Sequence, residues 1–189
     1  MTQKLFLILP VAGAMAFAAA GANAADLSPY VGAKFGGTIG GSSATDSSGG
    51  NPIYLGYNFG LDGGVAIPTS FINLRAEFEY NHTGVKSTNA DVSDTLTANS
   101  YMVNGYLDFL SGYRIKPYLG AGLGAISLNE KVDGDSASAT KFGYGIYGGF
   151  WFNITNALAM DLGAQYKGAN ANGVSFSFVN FNLGLRYAF

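Results

Sequence analysis

Val179-Asn180-Phe181-Asn182-Leu183-Gly184-Leu185-Arg186-Tyr187-Ala188-Phe189 closes the chain, and its parity decides the fold. The odd positions hold Val179, Phe181, Leu183, Leu185, Tyr187 and Phe189; the even ones hold Asn180, Asn182, Gly184, Arg186 and Ala188. Successive side chains of a strand point to opposite faces, whereas a helix would scatter these apolar residues around its circumference. The stretch reads as a strand with one apolar and one polar face.

The same period recurs upstream. Ile72, Leu74, Ala76, Phe78 and Tyr80 alternate with Asn73, Arg75, Glu77 and Glu79. Tyr101, Val103, Leu107 and Phe109 alternate with Met102, Asn104, Tyr106 and Asp108. Leu158, Met160, Leu162, Ala164 and Tyr166 face away from Asp161, Gly163, Gln165 and Lys167. Ile53, Leu55, Tyr57, Phe59 and Leu61 do so from Tyr54, Gly56, Asn58 and Gly60, and Phe142, Tyr144, Ile146, Phe150 and Phe152 from Lys141, Gly143, Gly145, Tyr147 and Trp151. Segments 29–37 and 116–128 are glycine-rich, with apolar faces of Val31, Ala33, Phe35 and Leu119, Ala121, Leu123, Ala125. The segments run about 9–13 residues, enough to cross a bilayer at a tilt (about 9–11) and longer than the usual globular strand (about 5–6).

Composition agrees. Only 12% of the 189 residues are charged, against a usual ~25%, while glycine numbers 28 and aromatics reach 14%. A net charge of −2 excludes an electrostatic nucleic-acid binder, and the absence of cysteine excludes disulfides and thiolate metal sites. Nothing in the sequence calls for a cofactor.

Lys4, the apolar run 5–20 and Ala22-Asn23-Ala24 form the charged, greasy and small-x-small parts of a secretory signal. Residues 1–24 are expected to be removed, leaving 25–189 as the barrel domain. That run is too short for a spanning helix and carries Pro10, and no later stretch is an apolar 18-mer. In hydrocarbon only helices and closed barrels satisfy every backbone N–H and C=O. The expectation is therefore an all-β, antiparallel up-and-down transmembrane barrel of eight strands, an even number as bacterial single-chain barrels require.

The connections 38–52, 81–99 and 129–139 read as long polar loops, 111–115 and 153–156 as short turns, and 62–70 and 168–175 as intermediate. With the N-terminus in the periplasm, the long ones face outward. Tyr80, Tyr101, Tyr144 and Tyr166 then form an outer aromatic girdle; Phe59, Phe109, Phe150, Phe152, Tyr187 and Phe189 form a periplasmic one.

Pro29-Tyr30-Val31-Gly32-Ala33, Lys116-Pro117-Tyr118-Leu119-Gly120-Ala121-Gly122-Leu123-Gly124 and Leu183-Gly184-Leu185-Arg186-Tyr187-Ala188-Phe189 resemble stretches of the opacity-type and OmpX-type family of eight-stranded outer-membrane barrels. The resemblance implies that Leu185, Tyr187 and Phe189 are the signal read by the barrel assembly machinery. It implies residence in the outer membrane among lipid and lipopolysaccharide, and a surface role in host adhesion, host-factor binding and antibody evasion. Unlike the OmpA-type relatives, the sequence stops at its last strand, so no periplasmic peptidoglycan-binding domain is expected.

The inward face is expected to gather Lys34, Arg75, Glu77, Glu79, Asp108, Lys141, Asp161, Gln165 and Arg186 into a polar network. Eight strands enclose room for little more than side chains, so these residues are read as a plug, with no stable conductance expected. Inward glycines leave space for Tyr54, Tyr106, Tyr118, Tyr147 and Trp151.

Catalysis is not expected. The single histidine, His82, opens a long loop, and the residue two beyond it is Gly84, whereas lipid A deacylases of this architecture carry His-x-Ser. Glu77 and Glu79 imitate an acid–base pair, but beside Arg75 they read as ion-pair partners. Asp133-Gly134-Asp135 with Glu130 lacks the ligand spacing of a calcium loop. Three functions follow in order: a surface interaction protein whose outer loops bind host molecules, with Lys86 and Lys131 near lipopolysaccharide phosphates; a small channel or transporter for apolar solutes; and an outer-membrane enzyme. Intact-mass spectrometry of the exported protein is expected to show a chain beginning at Ala25; a mass that includes Met1 would overturn the signal assignment.

Overall fold

A computed structural model describes residues 27–44, 53–69, 71–86, 95–110, 112–132, 135–171 and 174–189. The expected signal sequence lies outside these residues. The strands are β1 (Ser28–Ala44), β2 (Ile53–Ile67), β3 (Ile72–Lys86), β4 (Thr95–Phe109), β5 (Ile115–Val132), β6 (Asp135–Asn153), β7 (Leu158–Ala171) and β8 (Val174–Ala188). Each pairs antiparallel with its sequence neighbours, and β1 closes on β8 from Tyr30↔Ala188 to Ala44↔Val174. The sheet has no free edge, which is the condition for crossing lipid.

The faces fall as the alternation predicts. Phe35, Leu55, Leu119, Leu123, Ile146, Leu162, Phe181 and Leu185 point outward and are exposed in the isolated chain. Lys34, Arg75, Glu77, Glu79, Asp108, Asp161 and Gln165 are buried inside. Tyr80 and Tyr101 are paired across β3 and β4 with ring centroids 5.3 Å apart, and Tyr144 and Tyr166 are 6.3 Å apart across β6 and β7. Tyr57 and Tyr144 each lie over a cross-strand glycine, where a Cβ on Gly84 or Gly168 would come within 2.9 or 2.7 Å of the ring. Tyr80, Tyr101, Tyr144 and Tyr166 ring the outer end, and Phe109, Phe150, Phe152, Tyr187 and Phe189 face outward near the periplasmic strand ends. Phe59 faces outward too, but it pairs with Phe35 and His82 at the height of the outer tyrosines and so does not belong to the periplasmic girdle.

The strand ends correct the sequence reading. Residues 38–44 belong to β1, 62–67 to β2, 81–86 to β3, 95–99 to β4, 129–132 to β5 and 135–139 to β6, not to connections. Residues 62–67 extend β2 at its periplasmic end, opposite Tyr30 and its neighbours on β1; for the others the cause is an inversion of pattern above the outer tyrosines. Outward positions become polar: His82 on β3, Asn99 and Thr97 on β4, Ser127 and Asn129 on β5, Thr140 and Ser138 on β6, Ser177 and Ser175 on β8. Inward positions become apolar, and Val85, Leu96, Ala98, Ile126, Leu128, Ala169 and Phe178 pack as one buried cluster. Below the girdle the surroundings are lipid and the interior is polar; above it the surroundings are water, so the two faces exchange roles. From Tyr80 to Lys86 the wall rises six residues, about 15 Å at about 3.3 Å per residue and a tilt of about 40°.

This boundary predicts the response to charge. Leu119→Arg, on the lipid face midway between the periplasmic strand ends and the outer tyrosines, is expected to cost roughly 2–4 kcal/mol, and Ser127→Arg, eight residues up the same face of β5, about 0–1 kcal/mol. Urea titration of each variant folded into lipid vesicles measures the difference; equal costs would mean that the lipid boundary lies elsewhere.

Candidate functional site

Closure of the barrel stacks the inward side chains in layers. Arg75 on β3 organises the lowest. Its Nε donates to Asp108 Oδ1 and Oδ2 at 2.9 and 2.8 Å, and its Nη1 to Glu77 Oε2 at 3.2 Å and Tyr30 Oη at 3.3 Å. Tyr30 and Tyr106 donate to the two oxygens of Glu77 at 2.9 and 3.0 Å. The guanidinium also lies 4.0 Å from the Tyr106 ring centre, within cation–π reach. Tyr106, Tyr118, Tyr147 and Trp151 pack as one aromatic cluster, and inward glycines leave the space: a Cβ on Gly120 would lie 2.2 Å from Tyr106 and one on Gly163 2.2 Å from the Tyr118 hydroxyl.

Glu79 holds the next layer and is fully buried. Lys34 Nζ is 2.7 Å from its Oε2 and Lys167 Nζ 2.5 Å from its Oε1, while Gln165 Nε2 donates to Oε2 at 3.0 Å. Lys34 also meets Asp62 at 3.2 Å and Glu77 at 3.7 Å, and Lys167 donates to Ser100 Oγ at 3.1 Å. Above lies an amide layer. Thr38 donates to Asn180 Oδ1 at 2.8 Å, Asn58 to Thr38 Oγ1 at 3.2 Å, and Asn81 and Asn180 continue the chain at 3.4 Å. The apolar cluster around Val85 and Phe178 roofs it.

The expected lumen residues thus divide. Lys34, Arg75, Glu77, Glu79, Asp108 and Gln165 come together. Asp161 is buried beside Tyr118 and Trp151, across from Gly184. Arg186 joins by stacking, 4.0 Å from the Trp151 ring and 4.8 Å from Tyr30. Lys141 does not belong: it pairs with Ile126 at the apolar level, is half-buried, and makes no ion pair among the described residues. Inward parity alone included it; its height in the barrel excludes it. The network also contains Tyr30, Asp62 and Lys167, which the sequence reading left out. Asp62 falls in a connection by sequence pattern, yet it shares the parity of Asn58 and Gly60 on a longer β2. Tyr30 and Lys167 lie on the parity of Lys34 and Gln165, so the alternation carried the signal.

His82 is likewise corrected from loop to strand. It stands on the outer face of β3, where Asn99 Oδ1 accepts from its Nδ1 at 2.9 Å and from the Tyr80 hydroxyl at 3.0 Å. Lys86 ends β3, Glu130 and Lys131 lie near the end of β5 and Asp135 opens β6, while Asp133 and Gly134 lie outside the described residues.

The model of the outer membrane protein beta-barrel domain matches residues 6–189. The chain belongs to this family. Outer membrane protein PagN of Salmonella typhimurium is 32% identical over 100 residues, covering 46% of this chain and 40% of that protein. The match spans well under two-thirds of PagN's length. Neisserial surface protein A superposes with a TM-score of 0.61 at 21% identity, over 85% of this chain and 97% of that one. Ail, the attachment invasion locus protein of Yersinia pestis, gives 0.51 at 16% over 85% and 98%, and the outer membrane enzyme PagL gives 0.52 at 19% over 84% and 98%. At these identities the structures share the fold, and the family places the protein in the outer membrane.

Glu79→Gln leaves Lys34 and Lys167 around a neutral amide. It is expected to lower folding stability by roughly 3–5 kcal/mol, as for breaking a buried ion pair from one side, and adding Lys167→Met should restore part of the loss. Lys141→Gln should change little. Urea midpoints of the three variants in detergent micelles test this; an undiminished midpoint for Glu79→Gln would refute the central role of that carboxylate.

Proposed function

We propose that this barrel is a surface interaction protein, adhesin-like, whose outer connections bind molecules outside the cell. The observation that carries the reading is the raised wall. Six residues of β3 above Tyr80 carry the strand end that leads into connection 87–94 about 15 Å clear of the girdle, on a sleeve that is polar outside and packed inside. Such a pedestal presents loops beyond the headgroups, and loops on rigid scaffolds are where binding concentrates.

The layered lumen supports interaction over transport, because ion pairs, amides and an apolar roof fill successive levels of a barrel with little interior to spare. No catalytic role is assigned to His82: its Nδ1 bonds Asn99, and Gly84 is the next outward residue above it. The likeness to PagN and to Ail, named for attachment and invasion, favours host-surface molecules as partners. Lipopolysaccharide surrounds the same wall.

Deleting residues 46–50 and 88–93 avoids the strands. Both deletions should leave the heat-modifiable gel shift of a folded barrel intact while reducing adhesion of expressing cells to host cells at least tenfold. Full adhesion by the folded double deletion would end this reading.

A further inference from the structure

The periplasmic mouth of the lumen is built differently from the layers above it. Lys116 from β5 and Arg186 from β8 enter a cavity of about 220 Å³, with Asn73, Asn153 and Asn156 on its rim. Neither cation makes an ion pair among the described residues. Asp108, whose field reaches both, gives both oxygens to Arg75.

Arg186 is held in place rather than free to swing. Its guanidinium stacks on Trp151 at 4.0 Å and Tyr30 at 4.8 Å, and its Nη1 is buried without a hydrogen-bond partner. A buried donor left unpaired is costly, and a guanidinium fixed by aromatic faces is already oriented for a planar or tetrahedral oxyanion. The rim adds donors. Asn73 Oδ1 accepts from the Thr69 backbone N–H at 3.2 Å, which leaves its Nδ2 to donate, and Thr155 Oγ1 accepts from the N–H groups of Ala157 and Leu158 at 3.2 and 2.9 Å. The mouth therefore offers two cations and an amide donor, and its volume suits one small headgroup.

We infer that the periplasmic mouth is a binding site for a single oxyanion group, a carboxylate or a phosphate, held between Lys116 and Arg186. The site is independent of the outer loops. An anion there meets both positive charges and relieves the repulsion between them.

Trp151 is the only tryptophan and packs on Arg186, so its emission reports occupancy directly. Detergent-folded protein is titrated with inorganic phosphate and, separately, with N-acetylalanine at fixed ionic strength. A saturable emission change is expected; the probe that saturates at lower concentration identifies phosphate or carboxylate as the preferred ligand. Arg186→Gln and Lys116→Gln should each weaken binding at least tenfold, and Lys141→Gln, a cation at the other end, should leave it unchanged. Because Arg186→Gln also removes a stacking contact, Lys116→Gln is the deciding variant, with its fold verified by heat-modifiable migration. A response that is linear for both probes, or that persists undiminished in folded Lys116→Gln, would overturn the site.

Discussion

Hydrocarbon offers backbone amides no partner, and that constraint orders everything else in this molecule. The chain meets it by pairing β1 with β8 along almost their whole lengths. Closure converts eight amphipathic ribbons into an outside and an inside. The outside is settled by the lipid. The inside is not, because an eight-stranded lumen is too narrow to hydrate freely and must be filled by its own polar side chains.

The interior does so by sorting chemistry by height. Arg75 neutralises Asp108 and Glu77 among tyrosines, and Glu79 joins Lys34 to Lys167. Asparagines and Thr38 then exchange amide and hydroxyl bonds, and aliphatic residues close the top. The bonds of Glu79 tie β1, β3 and β7 together across the lumen, at separations of 45 and 88 residues. Desolvation offsets much of what such pairs contribute to stability, so their strongest effect is on register: a slip of one residue would turn Glu79 into the lipid.

The same physics explains how the wall outgrows the membrane. Once the strands pass the tyrosine ring, water lies outside and the protein needs an ordinary apolar core inside. The exchange of polar and apolar faces is the signature of a barrel whose strands continue past the headgroups as a water-exposed sleeve. The periplasmic mouth has no such sleeve; its Lys116 and Arg186 face an open cavity instead.

The sequence by itself determined which side chains look into lipid and which look inward, because strand geometry allows only two directions and the environment selects between them. The outward facing of the girdle residues and most of the charged network followed from that parity, but not the height of Phe59. Strand length did not, since an alternation whose phase flips at Thr83 to Val85 reads as the end of a strand when only one phase is followed. Tertiary structure alone decided that Asp62 reaches Lys34, that Lys141 stands at an apolar level outside the network, and that Arg186 stacks on Trp151. Those outcomes depend on the heights that neighbouring strands assign to one another when the barrel closes, and no single strand carries that information.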